Sequence, residues 1–398
     1  MIDPKIARRT LFAGAAALTC ALLAARLAAR SIAASGNLPD LGFYRLGEML
    51  SALPGIAGGP GTKCVVLGSS GIMIGFSPEE FDERMSEEGI PLVSYNLGVN
   101  SPNPLILRLL TARIRAAFQE KRSRLALSLI EFSPSDSTLA AESGHARPHA
   151  VDRAMLTEWR DLPGVLLESP KAAGEIAGIK ALGVEVGAPE LTAVLRRRLH
   201  LNPEMPPLPS DDLQDALYKK IGEIPSERNL ARWDSRHRGG RRLLFPATRE
   251  AYAAFARASG TVQEKSSGRR DFADSGDILE LHISEKMIAE FIRAVKNLQA
   301  VSGRTYVLVP PHDQSWVVPT PEGEARLRRA LSRIKMETGA EILDLYSDGE
   351  FQTSDFIDVV HVNETSGRPK FMKALAKQTS GLMRAAESAA RRGMGAVR

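Results

Sequence analysis

Cysteine is nearly missing from this chain of 398 residues, which has only Cys20 and Cys64. Two thiols cannot build a disulfide framework, and both read as small apolar side chains. Metal-ligand clusters are missing too. The seven histidines never gather with cysteines at ligand spacing, so no metal and no cofactor is expected. Two phosphate-binding signatures are absent, G-x-x-x-x-G-K-[ST] and G-x-G-x-x-G. Neither sign of charge dominates. A net charge of +5 permits an anionic partner without implying one. There is no internal repeat.

Long apolar runs are also scarce. The N-terminal stretch without charge, Leu11 to Ala25, has fifteen residues, with Lys5, Arg8 and Arg9 before it and Arg26 and Arg30 after it. A spanning helix wants about 20 residues, but Arg26 can snorkel and lengthen this one. A basic start, an apolar stretch and small residues behind it form an export signal. Residues 1–35 are therefore expected to be a signal-anchor or a cleaved signal. Either one places the main domain outside the cytoplasm, anchored in the inner membrane or exported.

The remainder divides by pattern. Residues 36–62 are rich in Gly and Pro and read as a linker with one short helix near Tyr44 to Leu53. Within 63–144, strands at Cys64–Leu67, Leu92–Asn96 and Leu125–Ile130 alternate with helices starting near Ser77 and Pro104. Ser77 suits an N-cap, with Pro78 first in the helix. Residues 145–277 read as a large, mostly helical insertion. Alternation resumes over 278–387, with strands at Thr305–Val309 and Glu341–Leu345. A basic tail, 388–398, closes the chain. Five strands in two groups predict a doubly wound, mainly parallel sheet with helical crossovers. Ligands of such sheets bind outside the carboxyl ends of the strands. Gly68-Ser69-Ser70, Gly98-Val99-Asn100 and the loop with Asp358 and His361 fall at that edge.

Those three loops carry the chemistry. Gly68-Ser69-Ser70-Gly71 is not a G-x-S-x-G nucleophile elbow, since Ile72 stands where its second glycine would be. Ser70 alone reads as a turn serine. Asp358 and His361 change that, because a histidine can take the proton of a serine hydroxyl while an aspartate orients the ring. Gly98 alone reads as a tight-turn glycine. His312, after the strand at Thr305–Val309, is expected to be structural or solvated rather than part of a pocket. The arginine-rich stretch 227–244, with Trp233, reads as a solvated basic face or as a surface for an anion or a sugar. An exported chain makes nucleic acid an unsuitable partner.

In this order, a Gly-Ser turn after the first strand, a glycine after the second and Asp-x-x-His near the C-terminus resemble the SGNH (GDSL-like) hydrolases. GSS, NLGVN and D-x-x-H-x-N-x-x-x-G are closest to a cell-envelope branch with DltD-like and alginate O-acetyltransferase-like proteins. The matched segments cover roughly 64–135 and 280–385. The resemblance implies an SGNH/flavodoxin-like fold and a Ser-His-Asp triad of Ser70, His361 and Asp358. It implies oxyanion donors at the amides of Ser70 and Gly98. The family asparagine of the third block is absent from Glu131-Phe132-Ser133-Pro134-Ser135-Asp136, which leaves Asn100 or Asn103 as substitutes. The activity implied is an O-acyltransferase or esterase acting on an envelope or secreted polysaccharide, or a small acyl ester. A membrane-bound acyl-donor protein is the implied partner. The non-enzymatic alternative is an inactive scaffold or glycan-binding subunit.

Overall fold

The computed structural model describes residues 41–99, 101–143, 150–182, 280–314, 319–346, 349–356, 360–363 and 366–395, with scattered helical positions between 13 and 27. Asn100, Asp358, the arginine-rich stretch 227–244 and most of the N-terminal segment lie outside the described residues. Among the described residues no helix is long and apolar enough to cross a membrane.

The elements run α1 (Leu41–Gly58), β1 (Lys63–Gly68), α2 (Ser70–Gly75), α3 (Pro78–Glu87), β2 (Val93–Gly98), α4 (Pro104–Glu120), β3 (Leu125–Glu131) and α5 (Leu139–Ser143). They continue as α6 (Ala150–Leu156), α7 (Leu162–Glu168), α8 (Pro170–Leu182), α9 (Glu285–Gln299) and β4 (Ser302–Val309). The last three are α10 (Pro321–Thr338), β5 (Glu341–Asp344) and α11 (Gly367–Gly395). Two compact units result. One comprises Glu48–Arg147 with Pro206–Arg398 and holds the sheet; the other, Met1–Gly47 with Pro148–Met205, holds α6, α7 and α8.

The five strands are all parallel, in the order β2-β1-β3-β4-β5. Their sequences explain this. Runs such as Cys64-Val65-Val66-Leu67 are apolar on both faces and need cover on both. On one face Cys64, Val66, Leu127, Leu129 and Leu308 pack with Phe81 of α3 and Phe371 of α11. The alternate residues Val65, Leu67, Ile130, Val307 and Val309 are just as fully buried. There α9 packs on α4 and on β4, and Phe132 meets Phe291 edge-on at 5.0 Å.

Capping sets the helix starts. Ser77, Asn103, Ser284 and Thr320 each accept an amide of the first turn, satisfying donors the helix cannot pair itself. The expected linker needs correction. It holds an 18-residue helix, α1, with Pro54 inside it. Buried Met49, Leu53 and Ile56 give α1 an apolar face that the flanking glycines and prolines obscure.

Register brings the strand ends together. Gly68 pairs with Gly98, Leu67 with Ile130, and Glu131 with Leu308. The order reverses between β1 and β3, so a crevice opens beyond their carboxyl ends. Gly98 lies against the backbone of α2. A Cβ there would sit 2.4 Å from Met73 N and 2.7 Å from its Cα. Backbone cannot yield as a side chain can, so Gly98→Ala should destabilise by about 1–3 kcal/mol or more. Urea denaturation checks this, and an unchanged midpoint would refute the close approach.

Candidate active site

Ser70 opens α2 directly after β1. Ser69 is the N-cap, its hydroxyl accepting the Gly71 amide at 3.1 Å. So short a helix gains little from its own hydrogen bonds and must be held from outside. Asn96, fully buried on β2, does this. Its Nδ2 lies 3.0 Å from the Ile72 carbonyl, 3.2 Å from that of Met73 and 2.8 Å from that of Phe76. One amide group thus serves carbonyls of the last turn of α2 and of Phe76 just beyond it. Its Oδ1 accepts the Gly98 amide at 3.0 Å.

His361 reaches Ser70 from the far end of the chain. Its Nε2 lies 2.8 Å from Ser70 Oγ, across 291 residues of sequence. Both residues are half-buried. The flanks of His361 are fastened. Phe356 and Val362 form an antiparallel bridge, and the Asn363 amide donates to Asp355 O at 2.8 Å. Asn363 Oδ1 accepts the amides of Ser366 and Gly367 at the start of α11, while its Nδ2 donates to Ser354 O. Buried Asp355 pairs with Lys370 at 2.7 Å. Burial pushes its carboxyl up, but hydrogen bonds from Lys370 and the Gln352 amide outweigh that and hold it below its usual value. Gly75 leaves room for this loop, since a Cβ there would be 2.8 Å from Val362 Cγ2.

One residue escapes sequence reasoning. Glu131 ends β3 and is 3% exposed. Its carboxylate accepts the Ser69 amide at 2.5 Å and the Ser69 hydroxyl at 2.8 Å. Gly68 makes way for it, because a Cβ there would lie 2.1 Å from Glu131 Oε2. Burial pushes Glu131 up to about 7. The Ser69 amide and hydroxyl pull it down, the Asp136 charge raises it and His361 lowers it. The available signal was an acid closing the apolar run Leu125-Ala126-Leu127-Ser128-Leu129-Ile130 at the functional edge of a parallel sheet. Beside it is a shallow depression bounded by Ser69, Pro102, Leu107, Glu131, Asp136 and Phe291.

The other expected residues fall as follows. Ser70 and His361 meet. The Gly98 amide is engaged by Asn96, which competes with its expected oxyanion role. Asn103 caps α4, its Oδ1 accepting the Ile106 amide at 3.1 Å. His312 is buried and stacks on Tyr346, with ring centroids 3.6 Å apart. A serine hydroxyl within hydrogen-bond distance of an imidazole nitrogen is an arrangement for nucleophilic attack, the ring taking the proton. No protein-family model matches this chain, and no curated protein matches it in sequence.

Glu131 also ties stability to pH. Its folded value, about 7, exceeds the ordinary 4.5, so the fold favours the neutral acid. That contribution is complete below about pH 4.5 and is lost as pH rises through about 7, a change of about 3 kcal/mol. Glu131→Gln cannot ionise. Its stability relative to wild type should therefore improve by about that amount between pH 4.5 and 8. Denaturation at both pH values checks this; parallel pH profiles for the two proteins would refute it.

Proposed function

We propose that this chain is a serine O-acyltransferase or esterase of the SGNH type. Its sheet order, 2-1-3-4-5, suits the doubly wound, flavodoxin-like arrangement. The observation that carries the reading is the 2.8 Å contact between Ser70 Oγ and His361 Nε2. Ser70 Oγ attacks an acyl carbonyl and passes its proton to His361. The tetrahedral oxyanion faces the Ser70 amide at the start of α2. The Gly98 amide joins if it exchanges Asn96 Oδ1 for the oxyanion, and Asn100 adds a further donor. His361 then protonates the leaving group. A sugar hydroxyl or water attacks the acyl-enzyme in turn, with His361 as base. Asp358 accepts the ring's other N–H and supports the imidazolium.

The proposed acceptor is an envelope or secreted polysaccharide. The N-terminal segment would anchor the chain in the inner membrane as a hydrophobic helix, with the main domain in the periplasm. A membrane-bound partner would deliver the acyl group, and residues 145–277 would form a mostly helical insertion.

Two observations favour a second reading, an inactive scaffold or glycan-binding subunit. The Gly98 amide already has a partner, and the third strand ends in an acid rather than a donor. Covalent labelling by a fluorophosphonate separates the two. Wild type should label, whereas Ser70→Ala should not and His361→Gln should label at least 100-fold more slowly, the scale of general-base catalysis. A folded wild type that stays as unreactive as Ser70→Ala would refute the nucleophile.

A further inference from the structure

We propose that Glu131 is a positioning residue for this chemistry. Its ionised carboxylate grips the Ser69 turn that carries Ser70 and so holds the Ser70 hydroxyl in place for His361. The inference rests on the reading of Ser70 as nucleophile.

Three observations support it. First, the grip is double. One carboxylate takes both the amide and the hydroxyl of Ser69, and that hydroxyl accepts the Gly71 amide. An acceptor-only carboxylate suits two donors; a neutral acid must turn one of its oxygens into a donor. The turn before Ser70 is thus fastened best when Glu131 is charged. Second, the space is made for it. Gly68 has no Cβ to exclude the carboxylate. Third, among the described residues few charges act on it. Asp136, on the loop after β3, opposes ionisation, and His361, on the loop before α11, favours it. The depression's other walls, Pro102 before α4, Pro104 and Leu107 of α4, Ser133 and Ser137 after β3 and Phe291 of α9, bring no charge. With so little water around Glu131, its charge is weakly screened.

Two groups then govern loss of activity in acid, His361 as base and Glu131 as clamp. Each must be without its proton for the full rate. In wild type the rate of fluorophosphonate labelling should fall with two protons, approaching about 100-fold per pH unit. Glu131→Gln should label roughly 10- to 100-fold more slowly at pH 8, the scale of a hydrogen bond to a charged group. Its acid limb should flatten to one proton, that of His361, because the glutamine has none to gain. A purely structural role would lower the rate and leave the profile's shape intact.

A measurement independent of catalysis keeps the two ideas apart. Carbon NMR of the glutamate side-chain carboxyls, assigned with Glu131→Gln, gives the Glu131 titration directly. A midpoint near 7 that rises in His361→Gln supports the proposal, as does a further rise in Ser69→Ala, which lacks one donor. Ser69→Ala also serves if Glu131→Gln does not fold, the resonance then being assigned by its shift. An ordinary carboxylate midpoint, or one unmoved by His361→Gln, overturns the proposal whether or not Ser70 reacts. Superimposable pH profiles for Glu131→Gln and wild type overturn it as well. If coupling is intact but wild type never labels, the reading of Ser70 fails, and the catalytic half of the proposal fails with it.

Discussion

The hydrogen bond between Ser70 and His361 joins segments 291 residues apart, and the parallel ladder makes it possible. Parallel strands all end at one edge, so each strand-to-helix loop is delivered to the same side. β1 lies between β2 and β3, which puts Ser70 beside Asn96 from one neighbour and Glu131 from the other. His361, from the segment before α11, meets Ser70 there. Change the order of the three strands and the serine loses the groups that hold it.

Buried polar groups fix the details. A buried amide or acid is costly unless its bonds are satisfied. Asn96 meets this condition through carbonyls of α2 and the Gly98 amide. Glu131 meets it through Ser69. Away from the site, Asp82 is likewise buried and accepts the Ser94 amide and hydroxyl. The site differs in one respect. Glu131 stays hard to ionise despite its two donors, so the charge proposed to aid catalysis is the one that weakens the fold. Such a trade between stability and activity is common at functional sites.

Much of the fold was legible in the sequence because its causes are local. Apolar runs bounded by glycine marked the strands, and Ser77 with Pro78 marked a helix start. β4 begins at Ser302 rather than Thr305, because Ser302 and Arg304 pair with β3 although their side chains are polar. α1 was shortened on paper by the glycines and prolines around it. Within the site, Ser70 and His361 could be paired from their order along the chain. Asn96 and Glu131 could not, since a polar residue in a strand does not announce what it will meet. Asn103 carries a more local cue: its neighbour Pro104 suits a helix start, and its side chain caps α4.

The account stands or falls on a covalent bond to Ser70. Mixing the full-length protein with p-nitrophenyl acetate, quenching in acid within the first turnover and mapping its peptides by mass spectrometry would look for that bond directly. The account predicts one acetyl group per chain, on the peptide carrying Ser70 and assigned to its hydroxyl. Acetyl on another side chain, or none on a correctly folded protein, would contradict it.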